Sequence, residues 1–148
     1  MKNVAELEKL IIFSVAELHK EMFNRANKAF DKEGFPIQVE QLPVLMCCYY
    51  KGDLSQQEIA DFASRDKSSI QRTVTYFVKH DLAKIIADAA DKRKNIVRLT
   101  DEGNRLGKII EDHVIKIDHQ LFSGKLSEED KDQFIALAGK LKKIIRES

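Results

Sequence analysis

Apolar positions recur along the chain with one period over most of its length and with another over a short central stretch. Between residues 4 and 31, Leu7, Ile11, Val15, Leu18 and Met22 follow one another at steps of three or four. This spacing predicts a single long amphipathic helix, which Gly34-Phe35-Pro36 brings to an end. A second helix is expected from Val39 to Lys51, with Pro43 tolerated near its first turn and Gly52 closing it. Ser55-Gln56-Gln57-Glu58 then has the spacing of a capping box, in which serine and glutamate each satisfy the other's backbone amide. It opens a short helix whose apolar side is Ile59, Ala60 and Phe62. Asp66 reads as the N-cap of a further helix over Lys67 to His80, with Ile70, Val74 and Phe77 turned inward.

From Ala83 the period shortens. Ala83–Ala87 and Lys94–Leu99 are β-capable stretches around the polar segment 88–93, a β-hairpin whose tip is too long for a two-residue turn and should project. Thr100-Asp101-Glu102 opens a long helix to about Phe122, with Leu106, Ile110, Val114, Ile117 and Leu121 in phase. Ser127-Glu128-Glu129-Asp130 opens a last one, striped by Phe134, Leu137, Leu141 and Ile144. The expected architecture is mainly α, ordered helix, helix, two short helices in helix-turn-helix arrangement, hairpin, helix, helix. No repeat or long linker divides it, so residues 1–148 form one domain. The apolar stripes of the terminal helices lack obvious partners within the chain and point to a subunit interface.

Composition narrows this picture. The chain is 43% apolar and 33% charged, with six glycines and two prolines among 148 residues, which suits a helical domain able to bury a core. The longest apolar run, Val44–Tyr50, is too short to span a bilayer. Glu6 and Glu8 stand where a signal peptide needs positive charge, so a cytoplasmic location is expected. Cys47 and Cys48 are adjacent, and helical neighbours diverge by about 100°, which fits two free thiols in a reducing compartment.

Charge is unevenly placed. Residues 65–98 hold nine Lys or Arg against four Asp, a local charge of +5 in a chain of net +1, which leaves −4 for the rest. A basic segment within an acidic remainder is what a phosphate-facing surface requires, although a solvated charged face would look the same.

Residues 54–103 resemble the MarR family of bacterial winged helix-turn-helix transcription regulators. The resemblance rests on Leu54-Ser55 with Glu58-Ile59-Ala60, on Asp66-Lys67-Ser68-Ser69-Ile70-Gln71-Arg72, on Asp91-Lys92-Arg93, and on Leu99-Thr100-Asp101-Glu102-Gly103. Length and flanking helices extend it to the whole chain. It implies a DNA-binding lobe over about 38–103 and dimerisation helices over about 1–37 and 104–148. The chain departs from the family in having Asp81 where glycine usually follows the recognition helix, and Ile85 and Ile86 where arginine often enters the wing.

The major groove admits one α-helix, read through residues near its N-terminus. The candidates there are Lys67, Ser68, Ser69, Gln71 and Arg72, with glutamine matched to adenine and arginine to guanine. Gln56 and Gln57 are placed to clamp backbone, and Lys92 and Lys94 add sequence-independent attraction. The resemblance assigns Arg93 to the minor groove, and Asp91 is expected to order the wing rather than touch DNA. The partners expected are double-stranded DNA with a near-palindromic operator and a second copy of the chain, and the resemblance further implies a small aromatic or phenolic effector that relieves repression. No membrane partner is expected.

Other chemistry is poorly represented. His19, His80, His113 and His119 form no i, i+4 pair, and the chain has no phosphate loop or nucleophile elbow. Neither an enzyme nor a cofactor or metal site is expected. Two alternatives stay open: a winged-helix module that binds protein, and a thiol- or metal-responsive regulator.

Overall fold

In the computed structural model, which describes residues 4–148, the first apolar stripe is interrupted at Leu10. Val4–Lys9 form a 3₁₀ helix, Leu10 is extended (φ −82°, ψ 134°), and α1 runs over Ile11–Glu33. The single helix expected over 4–31 is therefore two elements. No glycine or proline marks the junction; the amide of Leu10 closes a three-residue turn on the Leu7 carbonyl at 2.9 Å instead. At its other end α1 stops as expected: Gly34 is left-handed (φ 65°) and its amide caps Phe30.

The expected second helix begins as a 3₁₀ turn, Val39–Gln41, followed by α2 (Leu42–Lys51). Pro43 lies in the first turn of α2, where no amide is required of it. Then come β1 (Leu54–Ser55), α3 (Gln56–Ala63), α4 (Lys67–Lys79), β2 (Ala83–Ala87), β3 (Asn95–Leu99), α5 (Asp101–Phe122) and α6 (Glu128–Arg146). The two-residue strand β1 was not foreseen. It lies on the other side of β3 from β2, so the hairpin is part of a three-stranded antiparallel sheet ordered β1-β3-β2.

The chain divides into two compact units, Met1–Asn104 and Arg105–Ser148. In the first, Val44 and Leu45 of α2, Ile59 of α3, Ile70 and Phe77 of α4 and Val97 of β3 are fully buried. Each is worth about 1.5–3 kcal/mol relative to exposure, so the two short helices are held by a shared core rather than by their own propensity. Phe62 departs from expectation. It is exposed, and the Lys51 ammonium lies 4.6 Å from its ring centroid. Successive helical residues turn by about 100°, so with Ile59 and Ala60 both facing inward Phe62 lies about 110° from their midline and outside that face.

α4 leads into the wing through Asp81, whose φ is +59°. Asp tolerates this left-handed conformation better than most residues, and it turns the chain so that the Leu82 amide caps Phe77 at 2.8 Å. The sheet then returns to α5 at a tight junction. The Thr100 hydroxyl donates to the Asp81 carbonyl at 2.6 Å and accepts from the Gly103 amide at 3.0 Å. A Cβ at Gly103 would stand 2.0 Å from the Leu82 carbonyl oxygen. Thr100 and Gly103 are thus required by close approach of α5 to the end of the α4–β2 turn.

In the second unit the remainder of α5 and α6 are joined by a short turn, and Ser127 and Asp130 form the expected capping box. No described helix is long and apolar enough to cross a membrane.

Candidate nucleic-acid interface

Ser55 serves two elements at once. Its hydroxyl accepts from the Glu58 amide at 3.2 Å while Glu58 accepts from the Ser55 amide at 2.8 Å, which starts α3. As the last residue of β1, Ser55 is also paired with Ile96 of β3. The start of the first short helix is thereby tied to the strand that leaves the wing tip. The hydrogen bonds from Ser55 hold the Glu58 carboxyl below its ordinary pKa.

α4 begins at Asp66, whose carboxylate accepts from the Ser69 amide at 2.8 Å. Lys67, Ser68, Gln71 and Arg72 are exposed on its first two turns, while Ile70, Thr73 and Val74 turn inward. Ser69 is different. It is buried, and its hydroxyl accepts from the Arg65 guanidinium, so its position serves the helix start rather than an open face. On α3, the Gln57 amide donates to Asp61 at 2.8 Å, which leaves Gln56 the less committed of the two glutamines.

The wing is ordered by two aspartates. Asp88 Oδ1 accepts from the amides of Ala90 and Asp91 at 2.7 and 3.2 Å, and Asp91 Oδ1 accepts from the Arg93 amide at 3.1 Å. The Asp88 amide donates to the Lys94 carbonyl and the Lys94 amide to the Asp91 carbonyl, which closes the turn. Asp91 therefore acts on the backbone beneath Arg93, and Lys92, Arg93 and Lys94 are exposed at the tip. Sequence reading missed Asp88, although an aspartate at the head of a polar turn is the usual signature of this local bonding.

These elements converge. A cleft of about 580 Å³ is lined by Ser55, Gln56, Gln57 and Glu58 from the β1–α3 corner, Lys67 and Gln71 from α4, and Arg93, Lys94 and Asn95 from the wing. Six of the predicted residues line it, and Asn95 adds an amide that sequence reading passed over. Ser68, Ser69, Arg72 and Lys92 do not line it. Among the described residues Lys67, Arg72, Lys92 and Arg93 take part in no ion pair. Their charge is directed outward. Arg98 is instead paired with Asp53 and Arg65 is bound internally, so the basic segment offers fewer free cations than its composition implies.

Cys47 and Cys48 are both buried and free. Burial pushes both thiols up, Cys48 to about 12, which leaves almost no thiolate at neutral pH. Among the described residues no group of three or more His, Cys, Asp or Glu is placed to hold a metal ion.

The family model that matches the chain is that of the MarR family, over residues 37–94. No curated protein matches it. Solved structures do. A MarR/EmrR family transcriptional regulator from Acinetobacter sp. ADP1 is 22% identical with a TM-score of 0.83, the match covering 99% of this chain and all of that one. MepR of S. aureus in complex with DNA is 25% identical with a TM-score of 0.76, covering 90% and 96%. BpsR of Bordetella bronchiseptica, a structure concerned with regulation of its DNA binding by 6-hydroxynicotinic acid, is 18% identical with a TM-score of 0.73, covering 91% and 94%.

Proposed function

We propose that this chain is a MarR-family transcription regulator that binds double-stranded DNA sequence-specifically through the cleft between α3, α4 and the wing, a reading supported by the match of residues 37–94 to the family model. The observation that carries the reading is the convergence of unpaired cations and amide side chains from three elements on one groove. The first turns of α4 enter the major groove, where Gln71 and Arg72 can read base edges and Lys67 and Ser68 flank them, while the buried Ser69 holds the helix start. Gln56 and Gln57 hold backbone. Arg93 reaches the minor groove, where narrow A·T-rich stretches concentrate negative potential. Lys92 and Lys94 neutralise phosphate, and Asp91 holds the wing in shape. The same use of the fold is supported by the likeness to MepR, which was solved on DNA.

The protein acts as a homodimer. Residues 1–37 and 104–148 supply the interface, and residues 38–103 the DNA-binding lobe. Support comes from apolar surface that a monomer would leave in water. Ile12 of α1 is 84% exposed and Ile145 of α6 71%, accompanied by Ile11, Val15, Met22, Phe134 and Leu137. Burying such residues yields about 25 cal/mol per Å². Each subunit then reads half of a near-palindrome, with half-site centres about one helical turn apart. Light scattering at micromolar concentration should give twice the chain mass; a stable monomer would remove this part of the reading.

A small aromatic or phenolic effector relieves repression by binding better to a dimer whose recognition helices are wrongly spaced. Its support is the relative whose DNA binding is regulated by 6-hydroxynicotinic acid. DNA then weakens ligand binding by the same factor as ligand weakens DNA binding. Titration of salicylate against a labelled operator should lower DNA affinity, and an unchanged affinity at saturation would exclude that class.

The experiment for the whole reading is selection of bound fragments from random duplex DNA, followed by titration of the recovered sequence at several salt concentrations. A protein-binding module would recover no consensus. A thiol-responsive regulator would lose DNA affinity with peroxide, which the buried Cys47 and Cys48 argue against.

A further inference from the structure

The segment between α1 and α2 is bonded to the recognition helix at two places. Near the start of α4, one guanidinium nitrogen of Arg65 donates to the Glu40 carbonyl at 2.7 Å, and the other donates to the hydroxyl of Ser69, one turn into the helix. Farther along, the Tyr76 hydroxyl donates to the Pro36 carbonyl at 2.5 Å. The Tyr76 ring is stacked on His80, centroids 3.9 Å apart, which fixes its direction.

The connector itself is stiff. Phe35 meets Phe30 of α1 edge to face at 5.0 Å, Ile37 is 2% exposed, and the Gln41 side chain accepts from the Gln38 amide at 2.8 Å across the 3₁₀ turn. A strut thus leaves α1 and holds α4 at both ends, through side chains outside the cleft-lining set.

We infer that Arg65 and Tyr76 are positioning residues for DNA recognition: they lock α4 to the α1–α2 connector and so set the angle at which Gln71 and Arg72 meet base edges. Neither contacts DNA. The inference rests on the DNA-reading function proposed above. Base readout needs side-chain placement to a fraction of an ångström, whereas phosphate attraction does not, so loss of either bond costs specificity before it costs affinity.

The test compares Arg65→Lys and Tyr76→Phe with the unaltered protein. Each is titrated on a duplex selected by the unaltered protein and on a random duplex of equal length, at several salt concentrations. Lysine keeps the charge but cannot bond Glu40 and Ser69 together as the forked guanidinium does. Phenylalanine keeps the stack on His80 and removes only the hydroxyl.

The ratio of selected to random affinity should fall about tenfold for Arg65→Lys and several-fold for Tyr76→Phe, the sizes expected for charged and neutral hydrogen bonds. Random-duplex affinity and the salt slope should not change. A purely structural role would lower the active fraction on both duplexes alike and leave the ratio intact, which overturns the inference. A reduced salt slope in a truncating Arg65→Met variant beside an intact ratio would show a direct phosphate contact and overturn it as well. If the unaltered protein recovers no preferred duplex, the DNA-reading function falls, and the positioning role with it.

Discussion

Arg98 of β3 grips Asp53 with two nitrogens: its Nε donates to Asp53 Oδ1 at 2.8 Å, and a terminal nitrogen to Oδ2. The pair joins the wing's inner strand to the residue ahead of β1, and it holds the Asp53 carboxyl below its ordinary range. It lies in the basic segment yet is committed to the protein. Arg98→Ala should therefore lower the melting temperature slightly, as the loss of an exposed pair does. It should leave the salt dependence of DNA binding as it was. A shallower slope would mean that Arg98 leaves Asp53 for phosphate.

Arg93 is the contrasting case, exposed at the wing tip and in no ion pair. Arg93→Ala should leave the melting curve unchanged and weaken DNA binding on all sequences. The salt slope should drop by about 0.9 for each phosphate that the arginine neutralises in a subunit. Fluorescence anisotropy at several salt concentrations measures both affinity and slope. Wild-type values of the two in this variant would show that the wing enters no groove.

The wing should also loosen in acid. Amides of Ala90 and Asp91 hold the Asp88 carboxyl below its ordinary 3.8. A carboxylate depressed in the folded state contributes its stability above 3.8 and loses it as pH falls through the lower folded value. Backbone relaxation of residues 89–93 should therefore stay rigid at neutral pH and become mobile at the acid end. Asp88→Asn keeps an acceptor oxygen and should abolish the pH dependence while preserving the turn. An unchanged acid transition in that variant would assign the effect to another group.

Gly103→Ala should be severe. The new methyl would meet the Leu82 carbonyl at 2.0 Å, and backbone on both sides cannot yield cheaply. A loss of about 3 kcal/mol or more is expected, at the upper end for overpacking. Urea denaturation measures it directly. A change below about 1 kcal/mol would show that α5 can draw away from the α4–β2 turn.

How legible this molecule was depends on the range of the interaction involved. Ser55 with Glu58, Asp66 with Ser69, and Ser127 with Asp130 lie within one turn of each other, so spacing alone announces the helix starts. Asp81 could be placed because its conformation is a local matter. β1 could not, since two residues become a strand only by meeting Val97 and Ile96 from far along the chain. The break at Leu10 has no punctuating residue. Periodicity put Phe62 inside, but burial of Ile59 and Ala60 together turns α3 so that Phe62 faces out. In the site, residue type identified the cleft's cations and amides. It could not tell Ser68, which is exposed, from Ser69, which is buried under Arg65, because that distinction comes from a side chain four residues away.

The double duty of Ser55 has a consequence for the order in which the lobe assembles. The β2–β3 hairpin closes a short loop and can form early and alone. β1 must wait, because pairing Ser55 with Ile96 closes a loop that contains α3, α4 and β2, and its entropy is recovered only when those helices are already packed. The two residues of β1 are then the last stitch of the lobe and cannot come undone without parting the α3 corner from the wing. What pairs last should also part first, so this smallest strand should open ahead of the helices and report local opening of the lobe rather than global unfolding.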